Sequence, residues 1–271
     1  MQYDPVKAKI GKLVNRAPWM RRMFYGLLDR LLLRTWHVKR ALREFAAQHP
    51  GKASIFDAGS GFGQYSYRMW KMNSSWSIKA IDLKEEQIAD CKLFFNKIGA
   101  APAVSFETGD LTRYKSEGAY NLILSVDVME HIEEDEKVFG NFHESLAPGG
   151  WLIISTPSDK GGSDVKHDHD ESFIDEHVRD GYGTDEIRNK LQRAGFSNIE
   201  TKYTYGRPGN ISWRLSMKYP ILMLNKSWIF AIILPVWYII FAIPCLILNY
   251  RDVKILHQEG SGLLVVARKD R

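Results

Sequence analysis

Short apolar runs alternate with charged, amphipathic segments through the first two thirds of the chain. Apolar runs of strand length begin near residues 55, 77, 104, 120 and 151. Residues 85–98 and 135–146, which lie between such runs, have the length and composition of helices. Because strands that alternate with helices are typical of parallel sheets, the pattern predicts an α/β fold with a mainly parallel sheet.

The first apolar run ends in Asp57 and leads directly into three alternate glycines, Gly59, Gly61 and Gly63. Residues without Cβ let the backbone bend sharply and let a ligand approach main-chain amides at the start of the next helix. The dinucleotide fingerprint G-x-G-x-x-G instead places its acidic residue about 20 positions later. Here the third glycine comes one position early and an aspartate already ends the strand. The turn therefore favours a nucleotide-type ligand other than a hydride-transfer cofactor.

The sequence D-x-G-x-G-x-G resembles motif I of the class I methyltransferases that use S-adenosylmethionine (SAM). Later runs follow in the family's order, with strands that end at Asp82 and Asp110, a fourth that leads into Asp127, and a Pro-Gly-Gly turn at residues 148–150 before the fifth. Ala-Gly-Phe at residues 194–196 extends the match to the last helix. The chain is similar to small-molecule methyltransferases of the ubiquinone and menaquinone pathways. The resemblance implies a Rossmann-like sheet of seven strands, mainly parallel with an antiparallel last strand, and SAM as cofactor.

The resemblance also implies which side chains hold SAM. The glycine turn with its first acid would bind the amino-acid part, the second acid the ribose and the third the adenine, while the fourth strand ends between cofactor and acceptor. In that order, the predicted cofactor-binding residues are Asp57, Gly59, Ser60, Gly61 and Gly63; Asp82 with Leu83; Asp110 with Leu111; and Asp127. A plain turn at a single glycine, or a helix cap at Asp82 or Asp110, is the alternative at each position.

Asp127, Glu130 and His131 form the sequence D-x-x-E-H where the acceptor is expected. A hydroxyl or amine nucleophile can need a general base, so we predict His131 as the base, with Asp127 and His177 as further catalytic candidates. The spacing also resembles the E-x-x-E-H metal motif of small-RNA 2′-O-methyltransferases and some ubiquinone-pathway enzymes, and residues 166–170 or His177 would supply a further imidazole. Because Asp127 departs from that motif, and a Glu-His pair can simply order the turn, we predict no metal.

Residues 227–250 contain no charged side chain, and their length alone would cross a bilayer. In the family, however, the sixth and seventh strands are neighbours in one sheet, and residues 198–205 and 261–269 fit them. The apolar segment is then an insertion whose two ends emerge on the same side. We expect a broken, shallow helical hairpin or in-plane anchor, interrupted at Pro235 and Pro244. An apolar lid or a dimerisation surface is the alternative. The aromatic residues available for a membrane interface are Trp213, Tyr219, Trp228, Trp237 and Tyr238.

The formal charge of +5 is unevenly distributed, because residues 1–52 carry twelve basic and three acidic residues. Residues 19–34 mix apolar and cationic side chains at helical spacing, which is typical of a helix on an anionic membrane face. A cap helix on the core is the alternative, and both can hold; nucleic acid is the weaker interpretation. Two cysteines, Cys91 and Cys245, favour a reducing compartment, and we expect no signal peptide.

These observations predict a membrane-associated SAM-dependent methyltransferase on the cytoplasmic side of a membrane, acting on a lipophilic small-molecule or lipid-linked acceptor, with oxygen as the favoured methyl acceptor. A soluble enzyme whose insertion forms a dimer interface or lid, and a SAM-binding regulator without turnover, are the alternatives. The predicted organisation is basic N-terminal helices at 1–52, a SAM-binding core at 53–206, a membrane-associating insertion at 207–256 and the last core strand at 257–271.

Overall fold

The computed structural model describes residues 17–161 and 178–270 of the chain. Its strands are β1 (Ser54–Ala58), β2 (Ser77–Asp82), β3 (Val104–Thr108), β4 (Tyr120–Val126), β5 (Leu146–Pro157), β6 (Ser197–Thr204) and β7 (Gly262–Arg268). Its α-helices are α1 (Pro18–Leu31), α2 (Leu33–Gln48), α3 (Gln64–Met72), α4 (Glu85–Lys97), α5 (Asp135–Ser145), α6 (Thr184–Arg193), α7 (Arg207–Trp213), α8 (Tyr219–Lys226) and α9 (Leu234–Lys254). The helices expected at 85–98 and 135–146 are α4 and α5.

All seven strands form one sheet in the order β3-β2-β1-β4-β5-β7-β6. Strands β1 to β5 pair in parallel, whereas β7 runs antiparallel to both β5 and β6. The predicted Rossmann-like sheet with an antiparallel last strand is therefore confirmed. The strand order reverses between β1 and β4, which is the position where open α/β sheets bind ligands beyond the carboxyl ends of their strands.

Helices cover both faces of the sheet, and each face has its own apolar core. One core packs α2, α3 and α4 against the sheet around Phe45, Trp76 and Trp151. The other packs α5 and α6 around Phe139 and Leu191. The sheet is thus a middle layer that holds the carboxyl ends of β1, β2 and β4 at one edge.

One turn differs from the expectation from sequence. Residues 148–150 do not form a separate Pro-Gly-Gly turn, because β5 already begins at Leu146 and pairs there with Tyr120. The register of β4 with β5 shifts between Tyr120 and Leu122, and Gly149 has a φ of 75°. The strand therefore absorbs the predicted turn as an irregularity in its first residues.

The apolar segment forms a helical hairpin between β6 and β7, so its two ends emerge on the same side, as predicted. The outgoing arm consists of α7, a π-helical turn at Arg214–Lys218, and α8. A 3-10 turn at Trp228–Ile232 forms the tip, and α9 is the returning arm. Trp237 Nε1 donates to the Leu215 carbonyl at 2.9 Å, and the Tyr238 hydroxyl donates to the Ser216 carbonyl at 2.8 Å. These bonds hold the arms together.

The expected interruption at Pro244 is wrong. Pro235 lies in the first turn of α9, where proline is tolerated, but Pro244 lies inside the helix, which continues unbroken from Leu234 to Lys254. Proline removes one backbone hydrogen bond, yet packing against α7 fixes the neighbouring turn, where Ser212 Oγ donates to the Cys245 carbonyl at 3.2 Å. Tertiary contacts therefore outweigh the local preference of proline.

A buried carboxylate fastens the hairpin to the sheet. Asp252, near the end of α9, is fully buried and accepts hydrogen bonds from the Gly209 and Tyr205 amides at 3.0 and 3.2 Å. Its Oδ1 also accepts from His37 Nε2 at 3.0 Å, while His257 Nε2 donates to the backbone carbonyl of Asp252 at 3.0 Å and lies 3.1 Å from Oδ2. The base of the hairpin is therefore tied to α2, to the end of β6 and to the segment before β7.

Candidate active site at the carboxyl edge of the sheet

The glycine turn after β1 needs backbone conformations that favour glycine. Gly59, Gly61 and Gly63 have φ angles of 82°, 49° and 72°. A Cβ on Gly59 would lie 2.2 Å from a methyl carbon of Val128, so the turn also passes close to the end of β4. At Gly61 a Cβ would meet only Gln87 Oε1, at 3.8 Å, which leaves room for a ligand against the backbone.

Two polar side chains beside this turn fit a polar ligand. Ser60 Oγ is buried and has no hydrogen-bond partner within the described residues. Asp57, at the end of β1, is 2% exposed, and the Ser66 hydroxyl donates a short hydrogen bond to it. Burial raises the pKa of Asp57 to about 7 because the carboxylate has lost its water. A cationic group, such as the ammonium of SAM, would favour the ionised form of this carboxyl.

The second acid lies beside the same turn. Asp82 Oδ2 accepts from the Gly61 amide at 2.8 Å, and Oδ1 accepts from the Lys84 amide at 3.0 Å. Asp82 therefore orders the glycine turn and the turn that leads into α4, whose N-cap is Lys84 and not Asp82. Its predicted contact with the ribose stays a prediction. Leu83 is 69% exposed, so its side chain is accessible to a ligand at this edge.

The third acid is engaged with its own loop. Asp110 Oδ1 accepts from the Thr112 amide and hydroxyl, both at 2.8 Å. These two hydrogen bonds lower the pKa of Asp110, so the side chain is an acceptor at neutral pH. Leu111 is buried in the core on the α5 side. Of the two residues predicted to contact adenine, Asp110 is thus partly exposed and Leu111 is buried, and the contact itself stays a prediction.

Asp127, directly after β4, has a φ of 53°, which is rare for a residue with a side chain. Its amide donates to the Ser155 carbonyl at 2.8 Å, and its carboxylate pairs with the Arg34 guanidinium from the first turn of α2. Strained backbone of this kind persists only where neighbouring structure holds it, and it is concentrated at functional sites. The structure thus brings the predicted boundary residue together with an arginine that the sequence did not single out.

The other members of the D-x-x-E-H sequence have different environments. Glu130 is 1% exposed and accepts from Thr156 Oγ1 at 3.0 Å; burial, and next the charge of Asp127, raise its pKa to about 8. His131 is half-buried in the 3-10 turn Met129–His131. His177 and residues 166–170 lie outside the described residues. Among those described, no cluster of three or more His, Cys, Asp or Glu side chains could hold a metal ion.

A second arginine missed from the sequence lies under the glycine turn. Arg21 of α1 is 2% exposed, and its Nη2 donates to the Phe62 carbonyl at 2.8 Å. Its Nη1 donates to the Asp90 carbonyl at 3.0 Å, and the Tyr25 hydroxyl also donates to the Phe62 carbonyl. The cap-helix interpretation of this region holds for the inner face of α1. No sequence motif marks Arg21 or Arg34, because their partners lie far away along the chain.

Comparison with known proteins supports the class of protein that the sequence motifs predicted. The family described as "Methyltransferase domain" matches residues 29–201, well over half of the chain. Malonyl-(acyl-carrier protein) O-methyltransferase 2 of Ilyobacter polytropus is 25% identical over 132 residues, which are 49% of this chain and 48% of the relative. The chain thus matches about half the length of that relative.

Solved structures share the fold. A putative sarcosine dimethylglycine methyltransferase from Galdieria sulphuraria superimposes with a TM-score of 0.59 at 18% identity, covering 87% of this chain and 83% of that one. Phosphoethanolamine N-methyltransferase 2 of Haemonchus contortus, solved with SAM, gives 0.58 at 17% identity, covering 92% of this chain and 60% of that one.

The chain therefore belongs to the methyltransferase-domain family. The family and the geometry of the glycine turn support SAM as its cofactor.

Proposed function

We propose that this methyltransferase associates with a membrane surface and methylates a lipophilic small-molecule or lipid-linked acceptor on oxygen. The observation that carries the proposal is the uncovered apolar face of the hairpin beside the candidate active site. Association with the cytoplasmic side of a membrane is part of the same proposal.

The outer face of α9 consists of apolar side chains with few neighbours. Ile239 is 77% exposed and Ile243 is 67% exposed, and Ile229 and Ile232 at the tip are 72% and 79% exposed. Val236, Ile240, Ile247 and Tyr250 continue the same exposed face. Among the described helices, α9 alone is long and apolar enough to cross a membrane by length and composition. An exposed apolar surface of this extent needs a partner, and a lipid bilayer is the one we propose.

The charges and dimensions favour a hairpin that lies in the membrane surface over one that stands upright in it. Lys226, exposed at the end of α8, sits next to the hairpin tip, and an upright hairpin would carry this ammonium towards the bilayer centre. The exposed face from Val236 to Tyr250 is about 21 Å long, roughly two thirds of the hydrocarbon thickness. An in-plane hairpin immerses this face and leaves Lys226 among the headgroups.

The outer face of α1 supports the same orientation. Trp19, Met23 and Leu27 are 63%, 64% and 51% exposed and are spaced four residues apart, with the exposed Arg22 and Arg30 beside them. Apolar side chains flanked by arginines suit a membrane surface with anionic lipids. Asn249 Nδ2 of α9 donates to the Arg30 carbonyl at 3.4 Å, so α1 lies next to the hairpin.

The residues at the carboxyl edge would then divide the chemistry between them. SAM supplies an electrophilic methyl group, so the protein has to align the acceptor and exclude water. Asp57, Ser60 and Asp82 would hold the cofactor at the glycine turn. Asp127 would orient the acceptor, and His131 would take its proton in a methyl transfer to oxygen. Methylation of oxygen is supported by the Ilyobacter polytropus relative, which is named an O-methyltransferase.

The test is incubation of the protein with methyl-labelled SAM and a total lipid extract, followed by identification of each lipid that gains label. We expect a labelled product that requires the protein and is absent with Asp82→Ala. Label confined to water-soluble acceptors would contradict the lipophilic acceptor. A stable dimer in detergent-free solution, with no binding to vesicles, would instead assign the apolar face to self-association.

A further inference from the structure

Four cationic side chains from three helices surround one carboxylate where α1, α2 and α3 meet. The carboxylate belongs to Asp29 of α1, and 16% of its side chain is exposed. Arg68 of α3 makes an ion pair with it, and the ammonium of Lys39 of α2 lies 4.0 Å away. The charges of Arg30 and Arg43 also act on Lys39. We call these five residues the Asp29 cluster. With four cations and one carboxylate, the cluster has an excess of three positive charges.

Asp29 does not satisfy the donors around it. Its Oδ2 atom is paired with Arg68, and its Oδ1 atom accepts from Gln64 Nε2 at 2.8 Å. The Lys39 ammonium, at 4.0 Å, is beyond hydrogen-bond distance and has no hydrogen-bond partner among the described residues. The Nε atom of Arg68 is buried and also lacks a partner in that part of the chain. The cluster therefore combines excess charge with an ammonium that is available to a ligand.

The positive charge of the cluster is only partly compensated. Burial lowers the pKa of Arg68 to about 10, although Asp29 is paired with it. Burial also lowers the pKa of Lys39, and the charges of Arg43 and Arg30 lower it further. A lowered pKa means that the surroundings disfavour the charged form of a basic group. An added anion would oppose these effects, whereas an added cation would increase the repulsion. The cluster thus favours an anionic ligand over a cationic one.

The cluster adjoins the exposed apolar side chains of α1. Trp19, Met23 and Leu27 form that exposed stripe, and Arg30 follows Leu27 by three residues, about one helical turn. Arg30 and Arg43 are exposed, so an anion outside the fold can reach the cluster. On membrane-binding surfaces, apolar groups enter the acyl region while neighbouring cations stay with the headgroups. This arrangement favours a lipid headgroup over a free anion.

We propose that the Asp29 cluster binds the phosphate of an anionic phospholipid headgroup when the apolar faces of α1 and α9 lie in the membrane. This inference rests on the proposed function and names the lipid partner of its membrane-facing surface. Lys39 and Arg43 donate to the phosphate from successive turns of α2, and Arg30 donates from the end of α1. The hairpin then supplies the apolar contact with the membrane, and the cluster supplies the charged one.

The test compares vesicles of phosphatidylcholine alone with vesicles of phosphatidylcholine that contain phosphatidylglycerol. Partition of the whole protein onto each kind of vesicle is measured by sedimentation. We expect tighter partition onto the anionic vesicles. The double variant Lys39→Gln with Arg43→Gln should reduce that partition about 25-fold, because each cation near an anionic surface contributes about a factor of five. Its partition onto phosphatidylcholine alone should be unchanged.

The matched control is Lys115→Gln with Lys137→Gln, which removes the same charge from exposed side chains on or beside α5. It should reduce partition onto the anionic vesicles much less than the cluster variant does. The free energy of unfolding separates binding of a ligand from a structural role. Lys39→Gln should not lower it, because the substitution removes a repelled ammonium. A loss as large as that of Asp29→Asn would assign Lys39 to the fold and count against the inference.

No preference of the unmodified protein for anionic vesicles, or equal losses in the cluster variant and its control, would overturn the inference. The proposed membrane association still stands in either case if the unmodified protein binds both kinds of vesicle. Release of the protein from anionic vesicles by inorganic phosphate at constant ionic strength would assign the cluster to a soluble anion and overturn the lipid assignment. No binding to either kind of vesicle would contradict the proposed function itself.

Discussion

Replacing two isoleucines on the outer face of α9 tests the membrane proposal directly. Ile239 and Ile243 are 77% and 67% exposed and lie one turn apart, so changing both to serine disturbs no core packing. The folded protein should keep its stability and its affinity for SAM. Its partition onto vesicles should fall.

The exposed fractions give the size of the effect. Full burial of an isoleucine side chain is worth about 1.5–3 kcal/mol. Since roughly two thirds to three quarters of each side chain is uncovered, immersion in lipid would stabilise the bound state by about 1–2 kcal/mol per residue. The double variant should therefore lose about 2–4 kcal/mol of binding free energy, or about 30- to 700-fold in partition coefficient.

The assay is sedimentation with sucrose-loaded vesicles of phosphatidylcholine containing a minor fraction of phosphatidylglycerol. Leu93→Ser is the matched control, because Leu93 is 60% exposed on α4, away from the hairpin. It removes a similar apolar side chain and should leave partition unchanged. Equal losses of vesicle binding for Leu93→Ser and the double variant would show that binding depends on total exposed apolar surface and not on α9. No loss in the double variant would refute a lipid-immersed α9.

Three further predictions concern the cofactor and the hairpin base. Asp82→Ala should weaken SAM binding about tenfold or more, because the carboxylate also orders the Gly61 amide. Calorimetry measures the affinity, with Asp185→Ala at an exposed position as the control. An unchanged affinity would contradict the predicted ribose contact of Asp82. If Asp57 pairs with the ammonium of SAM, binding requires the ionised carboxyl and releases a proton. The affinity for SAM should therefore rise about tenfold between about pH 6 and pH 8 and stay constant above pH 8. Asp57→Asn should abolish this rise, and a rise that persists in the variant would refute the pairing. Asp252→Asn should destabilise the fold by about 3–5 kcal/mol in chemical denaturation, because an amide has one acceptor oxygen for the three donors that the buried carboxylate serves. A loss no larger than that of Asp185→Asn would contradict the anchoring role.

The sequence predicted those parts of the fold that rest on local patterns. The strands ending at Asp57 and Asp82, the glycine turn and the helices α4 and α5 follow from apolar periodicity and from residues that allow positive φ. The path of the apolar insertion followed from topology, because neighbouring strands of one sheet require both ends of an insertion on one side. Its helical hairpin form is as expected.

The remaining features depend on contacts between distant residues. A break at Pro244 was predicted from the preference of proline, but the facing arm of the hairpin keeps α9 continuous. Arg34 and Arg21 lie in a basic segment where charge pattern alone could not separate exposed arginines from those that reach Asp127 or Phe62. Likewise, no spacing rule pairs Asp252 with His37, which is 215 positions away.

The hydrogen bond from Arg21 of α1 to the Phe62 carbonyl matters for the choice of chain boundaries. A shortened chain that starts at Leu33 would keep every residue of the SAM motifs, yet it would leave the Phe62 and Asp90 carbonyls without their guanidinium donor. Such a chain should bind the cofactor poorly for reasons that its motifs do not reveal. Helix α1 thus supports the glycine turn from beneath and should be retained when the domain is shortened or fused to another protein.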